Sequence, residues 1–300
     1  MDDINRYGVL EWNVTLSEVL EAYGDILNTP FDWKACADSD QYRPISEFMP
    51  AMFPSPFSKE VVLTNRLVTT VFFDLHRCQK YIIKKHEENP SWYPAEHALT
   101  FTEVGMGMVR NVTAGIPDRA TVWTTGYIAP GYRTPGTYCP GDIKCAHKFQ
   151  GSWRQYLDLE KRTAKGVGPL KDEYKKVMAQ LNFYMTSPGG QVGFNQTLRY
   201  GYVITDQEVV LIRREPVDGS TPETSGYQLY ASRGFPLRML DVEAPEEYIS
   251  GMLALLYIHL LAGKHHQQEG GWKMRRSGAM EGEEDRTPSP TALDFLNEGQ

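Results

Sequence analysis

Three short segments carry residue types that act together in hydrolytic chemistry. The segment "IPDRATVW" places Asp118 at the head of a predicted strand, directly after a proline. The segment "GDIKCAHKF" places Asp142 and Lys144 two residues apart, so that on a strand both side chains point to one face. The segment "QLNFY" places Gln180 and Tyr184 one helical turn apart. Taken singly, these segments are typical of a turn, a surface ion pair and an ordinary helix.

Together, the aspartates and the lysine have the chemistry of a site for a hard divalent cation. Asp118 and Asp142, at the ends of adjacent strands, can share one Mg²⁺, which lowers the pKa of a bound water and neutralises charge that develops on a phosphate. Lys144 can position or deprotonate that water, or stabilise an oxyanion. The side chain of Ile143 is expected to point into the core, and its backbone carbonyl is a further candidate ligand.

The helix that carries "QLNFY" is expected to present polar groups toward the core. Apolar residues at helical spacing predict an amphipathic helix over 169–186. Gln180 and Tyr184 are expected on the same face as Val177 and Leu181. A glutamine in such a stripe would orient the substrate or a residue that binds the metal.

The order of the other elements indicates how these segments are positioned. A capping-box pattern at Thr15 and Glu18 begins a predicted helix over 15–27. The remaining predicted elements are a long helix over 58–87, strands over 105–112, 117–126 and 142–149 with a loop over 124–141, a hairpin over 199–215, an edge strand over 227–232 and an apolar helix over 245–262. This order predicts the α/β class, with a mixed central sheet and helices on its faces.

The chain divides into three predicted regions. Residues 1–57 are a helix followed by an irregular arm, residues 58–262 are the principal domain, and residues 263–300 are a polar, disordered tail.

Composition limits the classes of partner. A net charge of −7 and a pI of about 5.6 exclude a surface coated in basic residues, but not a local basic groove. Basic residues near the three segments form either such a groove or a solvated edge: Arg119, Arg133, Lys144, His147, Lys148 and Arg154. The tyrosines of the long loop, Tyr127, Tyr132 and Tyr138, either stack on unpaired bases or cover the edge of the sheet.

The four cysteines and the N-terminal segment indicate a reducing compartment. Cys36, Cys78, Cys139 and Cys145 form no CxxC pair, so we expect free thiols and no disulfide-linked partner. The N-terminal segment is acidic and has neither signal-peptide nor transit-peptide features. The longest apolar run, 248–263, is shorter than the ~20 residues that a membrane span needs. An intracellular protein, nuclear or cytoplasmic and not secreted, with no membrane partner, is therefore expected.

The three segments in this order resemble the motifs of the PD-(D/E)XK nuclease superfamily. "PD" at 117–118 and "DIK" at 142–144 match its metal and lysine motifs, and "QLNFY" at 180–184 is similar to the Gln-x-x-x-Tyr motif of the RecB-like branch. The run from "QLNFYM" to "EVVLIRRE" also resembles the nuclease-like domain proteins of filamentous fungi. The resemblance covers about residues 58–262.

The resemblance implies a fold, a reaction and a set of site residues. It implies a restriction-endonuclease-like core, a central mixed β-sheet flanked by helices, and Mg²⁺- or Mn²⁺-dependent phosphodiester hydrolysis in DNA or RNA. Metal binding would fall to Asp118 and Asp142, and catalysis to these two residues with Lys144 and Gln180. Tyr184, Lys148 and Arg119 would contact the nucleic acid. Many members also have a glutamate that completes the metal site, for which Glu60, Glu96 and Glu103 are the candidates, if any of them does so.

Two other interpretations stay open. The same fold can be repurposed to bind nucleic acid or protein without hydrolysis, or it can carry different chemistry on a small molecule.

Overall fold

The computed structural model describes residues 2–28, 59–88, 101–103, 119–122, 137–158, 167–186, 196–217, 226–237, 248–269 and 272–273. The predicted arm up to residue 57, most of the predicted tail, and the residues Asp118, Glu96 and Arg133 lie outside these ranges. So does the segment 123–136, which holds most of the predicted long loop.

The helices of the described chain lie on both sides of one sheet. They are α1 (Asp2–Tyr7), α2 (Leu16–Leu27), α3 (Glu60–Leu67), α4 (Phe73–Glu88), α5 (Val167–Thr186) and α6 (Gly251–Glu269). A π-helical turn, Val68–Phe72, joins α3 to α4, and a 3₁₀ helix, Gly151–Leu157, precedes α5.

The strands form a mixed open sheet. They are β1 (Val9–Trp12), β2 (Phe101–Glu103), β3 (Arg119–Val122), β4 (Thr137–Ile143), β5 (Gln196–Thr197), β6 (Tyr200–Ile204), β7 (Glu208–Pro216), β8 (Tyr227–Ser232), β9 (Phe235–Pro236) and β10 (Trp272–Lys273). The order across the sheet is β1-β8-β7-β6-β4-β3-β2, with β9 on β7, while β5 and β10 form a separate pair. Parallel pairing occurs at β1–β8 and β4–β6, so the predicted α/β class with a mixed sheet is confirmed.

The sheet separates two hydrophobic layers. On one face, α2, α3, α4 and α6 pack against inward residues such as Ile143 and Tyr202. On the other face, α1, the 3₁₀ helix and α5 pack against residues such as Val203 and Val210. Because side chains alternate along a strand and Ile143 belongs to the first layer, Asp142 faces the second, on the side of α5.

The helix predicted at the N-terminal end is confirmed as α2. The hydroxyl of Thr15 accepts a hydrogen bond from the N–H of Glu18 at 3.2 Å, which is half of the predicted capping box. The buried residues Val19, Tyr23 and Ile26 recur at helical spacing and face the sheet.

The long helix predicted over 58–87 is present, but it contains a π-helical turn. At this turn the hydroxyl of Thr70 donates to the carbonyl oxygen of Arg66 at 2.7 Å. Such back-bonding by threonine perturbs the regular backbone ladder of a helix.

The central strand β4 differs from its prediction. It lies partly within the segment 124–141, which was expected to be loop, and it ends at Ile143. The prediction of a strand over 142–149 is therefore wrong after its second residue. The chain turns there, because the N–H of Lys148 donates to the carbonyl oxygen of Cys145 at 2.8 Å.

A close contact explains why a Gly- and Pro-rich segment forms a strand. Gly141 pairs with Tyr202 of the parallel strand β6. Any side chain at Gly141 would overlap the ring of Tyr202. Glycine at this position therefore lets the aromatic ring lie across the neighbouring strand.

The ends of the sheet also differ from the predictions. β8 was expected at the edge, but β1 pairs outside it in parallel, with Val9 opposite Leu229. β1 thus joins the predicted N-terminal region to the principal sheet. The strand expected over 117–126 is present as β3, and the hairpin is confirmed as β6–β7. The strand expected over 105–112 lies outside the described residues.

The C-terminal helix extends beyond its predicted end at residue 262. α6 continues to Glu269, inside the region predicted as tail. None of the helices in the described ranges is long and apolar enough to cross a membrane. Cys78, Cys139 and Cys145 form no disulfide, and Cys36 lies outside the described residues.

Substitution of Gly141 by alanine should destabilise the protein by about 1–3 kcal/mol, because the new methyl group overlaps the Tyr202 ring. In a Tyr202→Leu background the same substitution should cost less. Gly168→Ala is the matched control, since nothing lies within 4 Å of its added methyl group. Urea unfolding measures the free energies of the wild type, the two single variants at 141 and 202, their double variant and the control. Equal costs of Gly141→Ala in both backgrounds would contradict the contact.

The buried histidine of α6 should make stability depend on pH. Burial lowers the pKa of His259 from 6.5 to about 4, against the opposing effect of its 2.6 Å hydrogen bond with the carbonyl oxygen of Leu255. As pH falls, the His259 imidazole is therefore protonated in the unfolded chain before it is protonated in the folded protein. This group's contribution to stability is complete above pH 6.5 and is lost as pH falls to about 4.

The loss from this histidine should reach about 3 kcal/mol between those pH values. The difference in unfolding free energy between the wild type and His259→Gln, measured by urea titration across this range, isolates it. His147→Gln, at an exposed position, serves as the control. A pH-independent difference for His259→Gln would exclude a buried neutral imidazole.

Candidate functional site

The candidate site lies at the end of a central strand. Asp142 pairs with Val203 of β6, and the N–H of Lys144 donates to the carbonyl oxygen of Ile204 at 3.0 Å. On the other side of β4, Arg119 pairs with Gly141. The strand that follows the Pro-Asp segment therefore lies beside the strand that carries Asp-Ile-Lys, although Asp118 itself is outside the described residues.

Asp142 and Lys144 form a shielded ion pair. The ammonium nitrogen of Lys144 lies 2.9 Å from Oδ1 of Asp142 and 3.5 Å from the carbonyl oxygen of Ile143. The side chain of Asp142 is 0 % exposed and that of Lys144 is 13 % exposed. The ammonium group beside it offsets part of the desolvation cost of this buried carboxylate, which for an isolated charge amounts to several kcal/mol.

Two carboxylates of the β6–β7 turn hold the loop that follows this pair. Oδ1 of Asp206 accepts the N–H of Ala146 at 2.8 Å, and Oε1 of Glu208 accepts the N–H of Gly151 at 2.6 Å. Burial raises the pKa of Glu208, and the Gly151 bond opposes that rise. The chain is therefore fixed on both sides of residues 146–151, directly after Lys144.

The turn itself is preorganised by a threonine. The hydroxyl of Thr205 accepts the N–H groups of Gln207 and Glu208 at 3.1 and 3.0 Å. Sequence reasoning identified this hairpin but missed the role of Asp206 and Glu208. The available signal was a pair of acidic residues at a turn between two apolar strands.

Lys148 and Glu60 connect the same loop to α3. Their charged atoms lie 3.1 Å apart, and both side chains are substantially exposed. Burial raises the pKa of the Cys145 thiol, and the charge of Glu60 adds to that rise. Of the three candidate glutamates, Glu60 is therefore the one whose described side chain reaches this loop.

Gln180 and Tyr184 lie on α5 and contact each other. The side-chain amide of Gln180 donates to the hydroxyl of Tyr184. Tyr184 is buried as expected, but Gln180 is exposed, so its placement on the core-facing stripe was wrong. The buried stripe passes through Leu181 and Met185, and position 180 lies just beside it.

The C-terminal half of α5 passes over β6 next to β4. A side chain at Gly201 would lie 3.0 Å from the carbonyl oxygen of Pro140, 3.3 Å from the sulfur of Met185 and 3.5 Å from Leu181. Pro140 lies two residues before Asp142 in β4, so the two side chains point to the same face of the sheet. The helix that bears the Gln-x-x-x-Tyr motif thus covers the sheet face toward which Asp142 points.

The structure describes only some of the residues that the sequence assigns to the metal site. Among the described side chains, no three His, Cys, Asp or Glu groups form a metal-binding cluster. The expected ligand Asp118 and the candidate Glu96 lie outside the described ranges, and the side chain of Glu103 is not described. For Arg119, the backbone alone is described.

Comparison of the chain with protein-family models, with curated proteins and with solved structures found no match. The resemblance to PD-(D/E)XK nucleases rests on the three short motifs and stays a prediction.

Removal of the Asp206 carboxylate should loosen the loop after Lys144. In Asp206→Ala the buried N–H of Ala146 loses its acceptor, which should cost about 1–3 kcal/mol. Asp206→Asn keeps an acceptor oxygen and should lose less. Urea unfolding with amide hydrogen exchange at Ala146 measures both effects. Unchanged exchange at Ala146 in the alanine variant would show that this bond does not order the loop.

Proposed function

We propose that the protein is a metal-dependent phosphodiester hydrolase with a restriction-endonuclease-like core, acting on DNA or RNA. The observation that carries the proposal is the 2.9 Å pair of Asp142 and Lys144 at the end of a central strand, beside the backbone of the strand that follows Pro117–Asp118. The connection β4–α5–β6 between parallel strands also supports it, because it brings the helix with Gln180 and Tyr184 to the same sheet face.

The oxygen atoms around Lys144 suit a hard divalent cation. The carboxylate of Asp142 and the carbonyl oxygen of Ile143 both approach one positively charged atom, the ammonium nitrogen. Carboxylate and carbonyl oxygens are the ligands that Mg²⁺ and Mn²⁺ accept. Asp142, the Ile143 carbonyl and Asp118 would hold the ion, which would lower the pKa of a bound water and neutralise phosphate charge.

Lys144 supplies a fixed positive charge in a shielded environment. Held by Asp142, it can orient a water molecule or stabilise the negative charge of the transition state. Electrostatic stabilisation is stronger where water is excluded, and Lys144 is only 13 % exposed. Asp206 and Glu208 act as positioning residues, since they fix the loop that follows Lys144.

Four residues are proposed to contact the nucleic acid near this pair. Lys148 and Gln180 are exposed, and Tyr184 anchors Gln180 from the buried side. Arg119, one residue after Asp118, completes the proposed set. These residues give a local site for phosphate groups in a protein whose net charge is −7.

A second function, binding of nucleic acid or protein without hydrolysis, is favoured by one observation. The Asp142 carboxylate has no exposed surface and already contacts a cation. A buried carboxylate in contact with a lysine is also expected of an ion pair that only stabilises a repurposed nuclease fold.

Cleavage assays separate the two functions. Plasmid, single-stranded DNA and RNA are incubated with Mg²⁺ or Mn²⁺, and the rates are compared with those of Asp142→Asn and Lys144→Met. Each substitution should lower the rate at least ~100-fold, the scale for a proton-transfer group or an electrostatic stabiliser. Lys176→Met, at an exposed lysine of α5 that pairs with Glu173, is the matched control and should keep the rate.

The double variant Asp142→Asn/Lys144→Met guards against loss of folding, because it leaves no unpaired buried charge. Its thermal unfolding shows whether the fold persists. Cleavage that survives in a folded variant lacking both charges, or in EDTA, would overturn the mechanism. Saturable binding of nucleic acid with no cleavage in any metal would support the second function.

A further inference from the structure

An aromatic side chain is exposed on α5, within the segment that carries the Gln-x-x-x-Tyr motif. Phe183 is 38 % exposed. In the described ranges, the other large apolar side chains exposed to this degree are aliphatic: Leu10, Leu20 and Val62. A planar ring at the surface can stack on another ring, whereas an aliphatic side chain cannot.

Tyr184 connects this ring to the side chain of Gln180. The rings of Phe183 and Tyr184 meet edge to face, with their centres 6.3 Å apart and their planes at 62°. The hydroxyl of Tyr184 accepts a hydrogen bond from the side-chain amide of Gln180. Because Tyr184 is buried, it restrains both of its exposed neighbours. Side chains that are ordered in advance lose less conformational entropy when they bind a ligand.

Helical geometry directs Gln180 and Tyr184 away from α1. The ammonium group of Lys175 donates to the side-chain oxygen of Asn5 in α1 at 3.3 Å, which marks the flank of α5 next to α1. Gln180 and Tyr184 lie about 140° and about 180° around the helix axis from Lys175. Since α1 packs against β8 and α5 against β4 and β6, the flank with Gln180 is directed toward β4 and β3. Phe183 is the neighbour of Gln180 on the helix surface, three residues further on.

The same part of α5 lies over the strand that carries Asp142. A side chain at Gly201 would meet the carbonyl oxygen of Pro140 and the side chains of Leu181 and Met185. This part of the helix is therefore at the level of Pro140. Two residues along a strand, from Pro140 to Asp142, span about 7 Å. The exposed ring and the proposed hydrolytic site are thus close enough to contact one strand of nucleic acid.

An unpaired base has two features that this surface can recognise. Its flat face can stack on an aromatic side chain, a contact that tolerates any base. Its polar edge can bond the amide of Gln180, which carries a second N–H group and an acceptor oxygen besides the N–H that bonds Tyr184. In a duplex, neighbouring base pairs cover these faces, so the ring of Phe183 has nothing to stack on.

We propose that the hydrolytic site takes single-stranded nucleic acid, with Phe183 stacking on an unpaired base and Gln180 contacting the edge of that base. Phe183 then determines strandedness and takes no part in the chemical step. The choice of substrate rests on the proposed function, but stacking requires no cleavage. Binding and cleavage can therefore be tested separately.

Binding is measured in EDTA and at low salt, by the fluorescence anisotropy of a labelled oligothymidylate and of a duplex of the same length. Phe183→Ala should weaken single-strand binding about 5- to 150-fold and leave duplex binding unchanged. Phe183→Leu keeps an apolar side chain without a ring and should resemble Phe183→Ala. Phe183→Trp keeps a stacking face and should bind at least as tightly as the wild type.

Leu20→Ala is the matched control, because this apolar side chain on α2 is 41 % exposed, and it should bind normally. Thermal unfolding of each variant checks that the fold persists. A single 2-aminopurine in the oligonucleotide reports stacking directly, since its fluorescence is quenched when it stacks on a ring. Quenching is expected with the wild type and Phe183→Trp, and not with Phe183→Ala.

The outcomes separate this site from the hydrolase proposal. Single-strand binding that depends on Phe183, without cleavage in Mg²⁺ or Mn²⁺, would support the base site and overturn only the hydrolysis. Cleavage with equal single-strand affinities for wild type and Phe183→Ala would support the hydrolase and overturn the base site. Absence of saturable single-strand binding, or tighter binding of the duplex, would also overturn it, and Phe183 would then be assigned to a protein contact.

Discussion

The burial of one carboxylate sets the conditions for the rest of the site. Asp142 has no exposed surface, and the ammonium nitrogen of Lys144, 2.9 Å away, offsets part of the cost of burying its charge. The chain turns directly after Lys144, and Asp206 from the adjacent hairpin holds that turn by accepting the N–H of Ala146 at 2.8 Å. The ion pair, the turn and the hairpin thus adjoin one another along the chain and through the Ala146–Asp206 bond.

The described ion pairs differ in how much they contribute to stability, because they differ in exposure to solvent. The pair between Lys148 and Glu60 is exposed, and such pairs contribute about 0–1 kcal/mol. The shielded pair of Asp142 and Lys144 cannot lose one partner without leaving a buried charge. The Arg199–Arg213–Glu215 group lies between these limits, partly exposed and partly ordered by aromatic rings.

Local patterns predicted much of the fold and fewer of the site contacts. The helix α2, the helix α5 and the β6–β7 hairpin follow from capping and periodicity, which are properties of neighbouring residues. β1 was missed because four residues, two buried and two exposed, do not show an alternating pattern. The bond from Ala146 to Asp206 joins residues 60 apart, so no local pattern contains it. Gln180 was misplaced because a position one residue from the buried stripe can lie on either side of it.

The parallel pairing of β1 with β8 has a consequence for the order of folding. The side chain of Gln228 donates to the backbone of Gly8 at 3.2 Å, across a separation of 220 residues. During synthesis, the first strand emerges long before the strand that it pairs with. Closing so long a loop is slow and unfavourable in entropy until the intervening sheet exists. We therefore expect β1 to pair with β8 last, at the edge of a sheet that has already formed.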